Sequence, residues 1–144
     1  MNPPVYHDYN ATTPVAPEVA DVIIPFLRGH FGNPGSAHVF GQRSKLAVAQ
    51  ARVQVAALVN AKAEEIVCTG SAIEANKLAL FGVARALGRP GHLIISAVEH
   101  PAVAAPAKRL EEASWAVTVV PVDGHGRVSL EAVRAAFDHA RLKA

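Results

Sequence analysis

Residues 93–121 read LIISAVEHPAVAAPAKRLEEASWAVTVVP, and this stretch decides the fold. Leu93-Ile94-Ile95-Ser96 is a short unbroken apolar run, the pattern of a buried strand. Pro101 then suits a first helical turn, because its fixed φ is already helical and its missing N–H would have no partner there. Val103 and Leu110 continue at helical spacing, and Trp115-Ala116-Val117-Thr118-Val119-Val120-Pro121 returns to the apolar pattern of a strand. Strand, helix and strand in this order predict an α/β domain with a mostly parallel sheet flanked by helices.

Toward the C-terminus, Asp123-Gly124 turns the chain and Ser129 is a good N-cap for a last helix carrying Leu130, Val133, Ala136 and Phe137. The sequence ends where a βαβ unit would next demand a strand. Toward the N-terminus, the spacing of Leu78, Leu80, Val83 and Leu87 predicts a helix over about 72–87, stopped by Gly88 and Pro90. Ile66-Val67-Cys68-Thr69 reads as a further short buried strand. Leu46, Ala49, Val53, Ala56 and Leu58 predict a helix over about 39–59, with Gln42, Arg43, Lys45 and Arg52 on its polar side. Phe31-Gly32-Asn33-Pro34-Gly35-Ser36 is a loop by composition. Val19, Val22, Ile23, Phe26 and Leu27 place a helix with one buried stripe over about 16–28. The expected organisation is an irregular arm over 1–14, ending in Asn10-Ala11-Thr12-Thr13-Pro14, and a partial domain over 15–144.

Composition limits the partners. The 144 residues are 51% hydrophobic, with a mean hydropathy of +0.21, enough for a domain with its own core. Lys and Arg number 14 against 12 Asp and Glu, and they are scattered, which argues against nucleic acid. No apolar window has the length of a membrane helix, and Met1 to Tyr9 lacks the basic and then apolar run of a signal peptide. The expectation is a soluble cytoplasmic protein without membrane association. One cysteine, Cys68, allows no internal disulfide.

Two junctions are placed for chemistry. Thr69-Gly70-Ser71-Ala72 joins a predicted strand to a helix, where free amides favour a phosphate, although parallel α/β domains need small residues at such turns in any case. Glu99-His100-Pro101 follows a strand at the carboxyl edge, where parallel sheets hold ligands. A histidine there stacks, donates a proton, or is an ordinary loop residue. The other histidines show no metal-ligand spacing with it. Cys68 reads as a structural thiol among apolar neighbours, and Lys45, Lys62, Lys77, Lys108 and Lys143 read as solvated surface groups.

Asp8-Tyr9-Asn10-Ala11-Thr12-Thr13-Pro14, Phe31-Gly32-Asn33-Pro34-Gly35-Ser36 with His38 and Gly41, Glu65-Ile66-Val67, and Ser96-Ala97-Val98-Glu99-His100-Pro101-Ala102-Val103 together resemble the cysteine desulfurases, within the class V aminotransferases. The resemblance runs from Tyr6 to about Phe137. It implies an incomplete large domain of a fold-type-I pyridoxal-phosphate transferase, homodimeric in the full-length family. The implied reaction takes sulfur from L-cysteine, leaving alanine and a persulfide on an enzyme cysteine. That sulfur serves iron–sulfur cluster assembly or tRNA thiolation through an acceptor or scaffold protein.

By the same resemblance His100 is the histidine that stacks on the pyridine ring and assists proton transfer. Ser71, Ala72 and Ile73 form the turn that binds the cofactor phosphate, and Asn10, Ala11 and Thr12 lie near the substrate. The family's usual Ser-Gly-Ala-Thr-Glu appears here as Gly70-Ser71-Ala72-Ile73-Glu74, which replaces a hydroxyl at position 73 by an apolar side chain. Lys77 stands where asparagine is common. The Schiff-base lysine, the aspartate that pairs with the pyridine nitrogen and the catalytic cysteine have no counterpart, so covalent cofactor attachment through a matched lysine is not expected. The isolated chain is expected to be inactive. The alternatives are a non-catalytic fragment that binds a partner and a selenocysteine lyase-type enzyme. Unpaired sheet edges and uncovered apolar faces further predict aggregation.

Overall fold

The computed structural model describes residues 4–141, with side chains described through residue 138. The outermost residues of the 1–14 and 15–144 spans, and Lys143, lie outside the described residues. The chain divides into two compact units, Met1–Val67 and Cys68–Ala144.

The first unit opens on an irregular segment in which the amides of Ala11 and Thr12 both turn back to the Asp8 carbonyl. The Tyr6 hydroxyl lies 2.8 and 3.1 Å from the carbonyls of Asp8 and Thr12. Helix α1, Pro17–Arg28, starts on its proline, with Glu18 in the first turn and Arg28 in the last, each sign matched to the helix dipole. Its apolar stripe is not buried, contrary to the sequence expectation. Among the described residues no other element of this unit packs on α1, and Leu27 is 79% exposed.

Helix α2, Val39–Leu58, is capped by His38, whose Nδ1 accepts from the Gly41 amide at 3.3 Å. The 31–36 loop crosses the start of α2 backbone to backbone. A Cβ on Gly41 would collide with the carbonyl oxygens of Ser36 and Asn33, and one on Gly32, at φ +151, with that of Phe40. Phe31 and Phe40 stack at 5.6 Å across this crossing. At the other end Asn60 adopts φ 53, and the Ala61 amide donates back to the Ala56 carbonyl at 2.9 Å, closing the helix. A 3₁₀ turn, Ala63–Glu65, packs on α2 and is capped by the Glu65 carboxylate on the Lys62 amide at 2.8 Å.

Ile66 to Thr69 form no strand. A strand exists only where its backbone groups meet a partner, and among the described residues no ladder forms along this segment. Cys68 is correspondingly exposed rather than buried.

The second unit is built as its sequence predicts. Helix α3, Ala72–Leu87, ends on Gly88 in the left-handed conformation. Strands β1, His92–Ser96, and β2, Ala116–Val120, pair in parallel from His92↔Ala116 to Ser96↔Val120. Helix α4, Pro101–Glu112, makes the crossover and buries Ala102, Pro106, Ala107 and Leu110. It packs on α3 and on both strands. Trp115 lies against Gly91, where a Cβ would crowd the indole at 3.0 Å. An antiparallel bridge, Val122↔Val128, closes the loop around Asp123. Ser129 then caps helix α5, Leu130–Arg141, its Oγ accepting from the Ala132 amide at 3.0 Å, and α5 packs on both strands. Among the described residues no helix is long and apolar enough to cross a membrane.

Candidate functional site

The packed helices α3 and α4 each present an N-terminus shaped by local hydrogen bonds. At α3, Ser71 adopts an extended conformation and its Oγ accepts from the Glu74 amide at 3.2 Å. Glu74 reaches back, and its Oε2 accepts from the Gly70 amide at 2.8 Å. This variant of a capping box engages the amides of residues 70 and 74 and leaves those of Ala72 and Ile73 without an acceptor among the described residues. Thr69 Oγ1 donates to the Ser71 carbonyl at 3.1 Å and braces the turn. Ile73 is 50% exposed, an apolar side chain in the open. Ser71, Ile73, Glu74, Lys77, Phe81 and Arg85 line an open groove of about 640 Å³ along α3, with Glu74 and Lys77 toward its N-terminal end and Arg85 about three turns further along the helix.

At α4 the histidine is itself the cap. Pro101 disfavours the helical conformation for the residue before it, and His100 accordingly sits at φ −60, ψ 147. From there its Nδ1 accepts from the Ala102 amide at 3.0 Å. Nδ1 cannot carry a proton while it accepts this bond, so the neutral ring is the Nε2–H tautomer and Nε2 is its free polar atom. The ring is exposed. The sequence placed His100 at a ligand-binding edge but not as a helix cap; the one available signal was Pro101 at the first helical position.

Asn10, Ala11 and Thr12 belong to the first unit, where all three are exposed. Ser71, Ala72, Ile73 and His100 belong to the second.

The residues present fit the phosphate and ring ends of pyridoxal phosphate. Two free amides at a helix N-terminus suit a phosphate, and an exposed imidazole suits an aromatic ring.

A parallel pair of strands joined through α4, with helices packed on it, is an α/β architecture. The class V aminotransferase family model matches residues 5–142, and the chain belongs to that family. Its relatives include the cysteine desulfurase IscS of Dictyoglomus turgidum, 42% identical over 138 residues, which covers 95% of this chain and 35% of that protein. IscS of Methylococcus capsulatus is 46% identical over 139 residues, covering 95% and 34%. Among solved structures a NifS-like protein superposes with a TM-score of 0.84 at 37% identity, covering 91% of this chain and 36% of that one. A structure described as SspA in complex with cysteine gives 0.83 at 36% identity, covering 91% and 38%. The chain thus spans about a third of the length of the relatives it matches. Members of the family use pyridoxal phosphate.

Proposed function

We propose that this chain is the phosphate-cradling and ring-stacking part of a cysteine desulfurase. Residues 1–14 serve as an arm that brings Asn10, Ala11 and Thr12 toward the substrate, and 15–144 belong to the large transferase domain. The substrate is L-cysteine and the products are alanine and an enzyme persulfide. The sulfur passes to an acceptor or scaffold protein for iron–sulfur cluster assembly or tRNA thiolation, in a cytoplasmic homodimer. Bound pyridoxal phosphate supplies the electron sink.

This chain's own residues do the holding. The amides of Ala72 and Ile73, with the Ser71 hydroxyl, bind the phosphate. His100 lies on the ring face and offers Nε2–H as its one hydrogen-bond donor, because Nδ1 accepts from the Ala102 amide. By themselves the 144 residues do not turn over cysteine, since neither Cys68 nor any of the five lysines occupies a matching catalytic position. The observation that carries the proposal is His100: it ends the short link that follows β1, its Nδ1 accepts from the Ala102 amide, and its ring is exposed.

Two measurements test it. Titration with pyridoxal phosphate should move the backbone amide resonances of Ala72 and Ile73 in a saturable way; no movement would sink the cradle. After removal of excess cofactor, the absorbance spectrum should show no lysine-linked band, and cysteine should yield no alanine above the rate of free cofactor. A retained band lost on replacing one of the five lysines would overturn the inactivity of the isolated chain.

A further inference from the structure

The link from β1 to α4 is only four residues long, 97–100, and is tied at three points. The Ala97 amide donates to the Val120 carbonyl at 2.9 Å, one step beyond the strand ladder. Pro101 restrains His100 from the C-terminal side. The third tie joins the two ends of the turn: Ser96 Oγ donates to Glu99 Oε1 at 2.9 Å.

Glu99 is an odd residue for this place. Unlike Glu74 and Glu65, its carboxylate takes no backbone amide and caps no helix among the described residues. It is half-buried, and with Ser96, Val103, Val120, Val133 and Phe137 it lines a largely apolar groove of about 380 Å³. A carboxylate with a single hydroxyl partner in such surroundings loses hydration that one hydrogen bond does not replace. An apolar residue would serve stability better, so its stability contribution does not account for its presence.

We propose that Glu99, held by Ser96, is a positioning residue for His100. The tie fixes the chain entering His100, as Pro101 fixes the chain leaving it, so that Nδ1 meets the Ala102 amide and Nε2–H alone remains as the ring's hydrogen-bond donor. This rests on the role given to His100 above, and it names the residue that fixes which ring nitrogen acts.

The test needs no cofactor. Nitrogen-15 spectra of the imidazole, recorded where the ring is neutral, should show His100 as a single Nε2–H tautomer in the parent chain. In Glu99→Ala and Ser96→Ala the two ring-nitrogen signals should draw together toward the average of exchanging tautomers, and the Ala102 amide resonance should shift as its acceptor is lost. Glu99→Gln keeps an oxygen that accepts from Ser96 and should retain the parent signature. The amides of Ile94, Leu110 and Val119 report whether the fold is intact. If Glu99→Ala does not fold, Ser96→Ala, which removes one hydroxyl, decides. Unchanged His100 signals in a folded alanine variant, or their collapse in Glu99→Gln, would overturn the proposal. Failure here is separate from failure of cofactor binding, which the Ala72 and Ile73 amides report.

Discussion

Ile73 sits at the second position of α3, beside two amides that have no acceptor, and half of it faces solvent. Packing therefore does not demand an apolar group there. Ile73→Thr should leave thermal stability within a few tenths of a kcal/mol, as surface substitutions do. It should tighten retention of pyridoxal phosphate about tenfold, since a hydrogen bond to a charged group contributes roughly 1.5–3 kcal/mol. Isothermal titration of the two proteins checks both the sign and the size.

His100 answers to a different comparison. His100→Ala removes the acceptor for the Ala102 amide and should cost about 1 kcal/mol in chemical denaturation, while His100→Asn, a good cap, should restore the stability without the exchangeable ring proton. What the sequence conveyed about such residues was their place along the chain. The 71–73 turn and His100 were visible because strand-to-helix junctions carry small residues and prolines. That Ser71 and His100 are caps was not, because a cap is defined by a hydrogen bond and the residue pattern allowed other uses for both side chains. Cys68 misled for a related reason: apolar neighbours predict burial only if another element covers them.

At the scale of elements, the loop after β2 is closed by the Val122↔Val128 bridge and braced from inside by one carboxylate. Asp123 accepts from the Arg127 and His125 amides and from the Arg127 side chain at 2.8–2.9 Å. The Arg127 amide, then the His125 amide, hold its carboxyl below the ordinary value of 3.8. A carboxyl with a depressed folded value contributes stability that is fully present above its unfolded value and is lost as pH falls through the folded one. The loop should therefore stay closed at neutral pH and open only in acid below about pH 3.8. Exchange of the His125 and Arg127 amides should follow that window, and Asp123→Asn should abolish the pH dependence.

The crossing of the 31–36 loop over α2 makes a second element-level prediction. Gly41→Ala should cost about 1–3 kcal/mol, because the new methyl meets rigid backbone rather than a movable side chain. The five helices and the two paired strands were legible to within a residue or two, since their periods and stop signals are local. The segment 66–69 was not. Its run of β-formers is real, but a strand is a relation between two segments and one sequence window contains only one of them.

For the molecule as a whole, the apolar surface left open is large. Leu27 and Leu58 are 79% and 85% exposed, and most of the apolar stripe of α1 has no cover from its own unit. Patches of this kind promote self-association. Leu27→Lys and Leu58→Lys together should raise the monomer fraction in size-exclusion chromatography with light scattering, without lowering the midpoint of unfolding. By contrast Leu110→Ala, at a site 6% exposed on the buried face of α4, should cost about 2–4 kcal/mol.

The register of the parallel pair has a consequence for synthesis. His92 meets Ala116, 24 positions later, with α4 as the only intervening element. So short a separation makes this the least entropically demanding way to close a parallel pair, which ordinarily needs a crossover of a dozen residues or more. As a nascent chain leaves the ribosome, β1, α4 and β2 can dock as soon as Val120 has emerged, without waiting for any later residue to leave the tunnel. The turn that holds His100 then takes its shape during translation, ahead of whatever will occupy it.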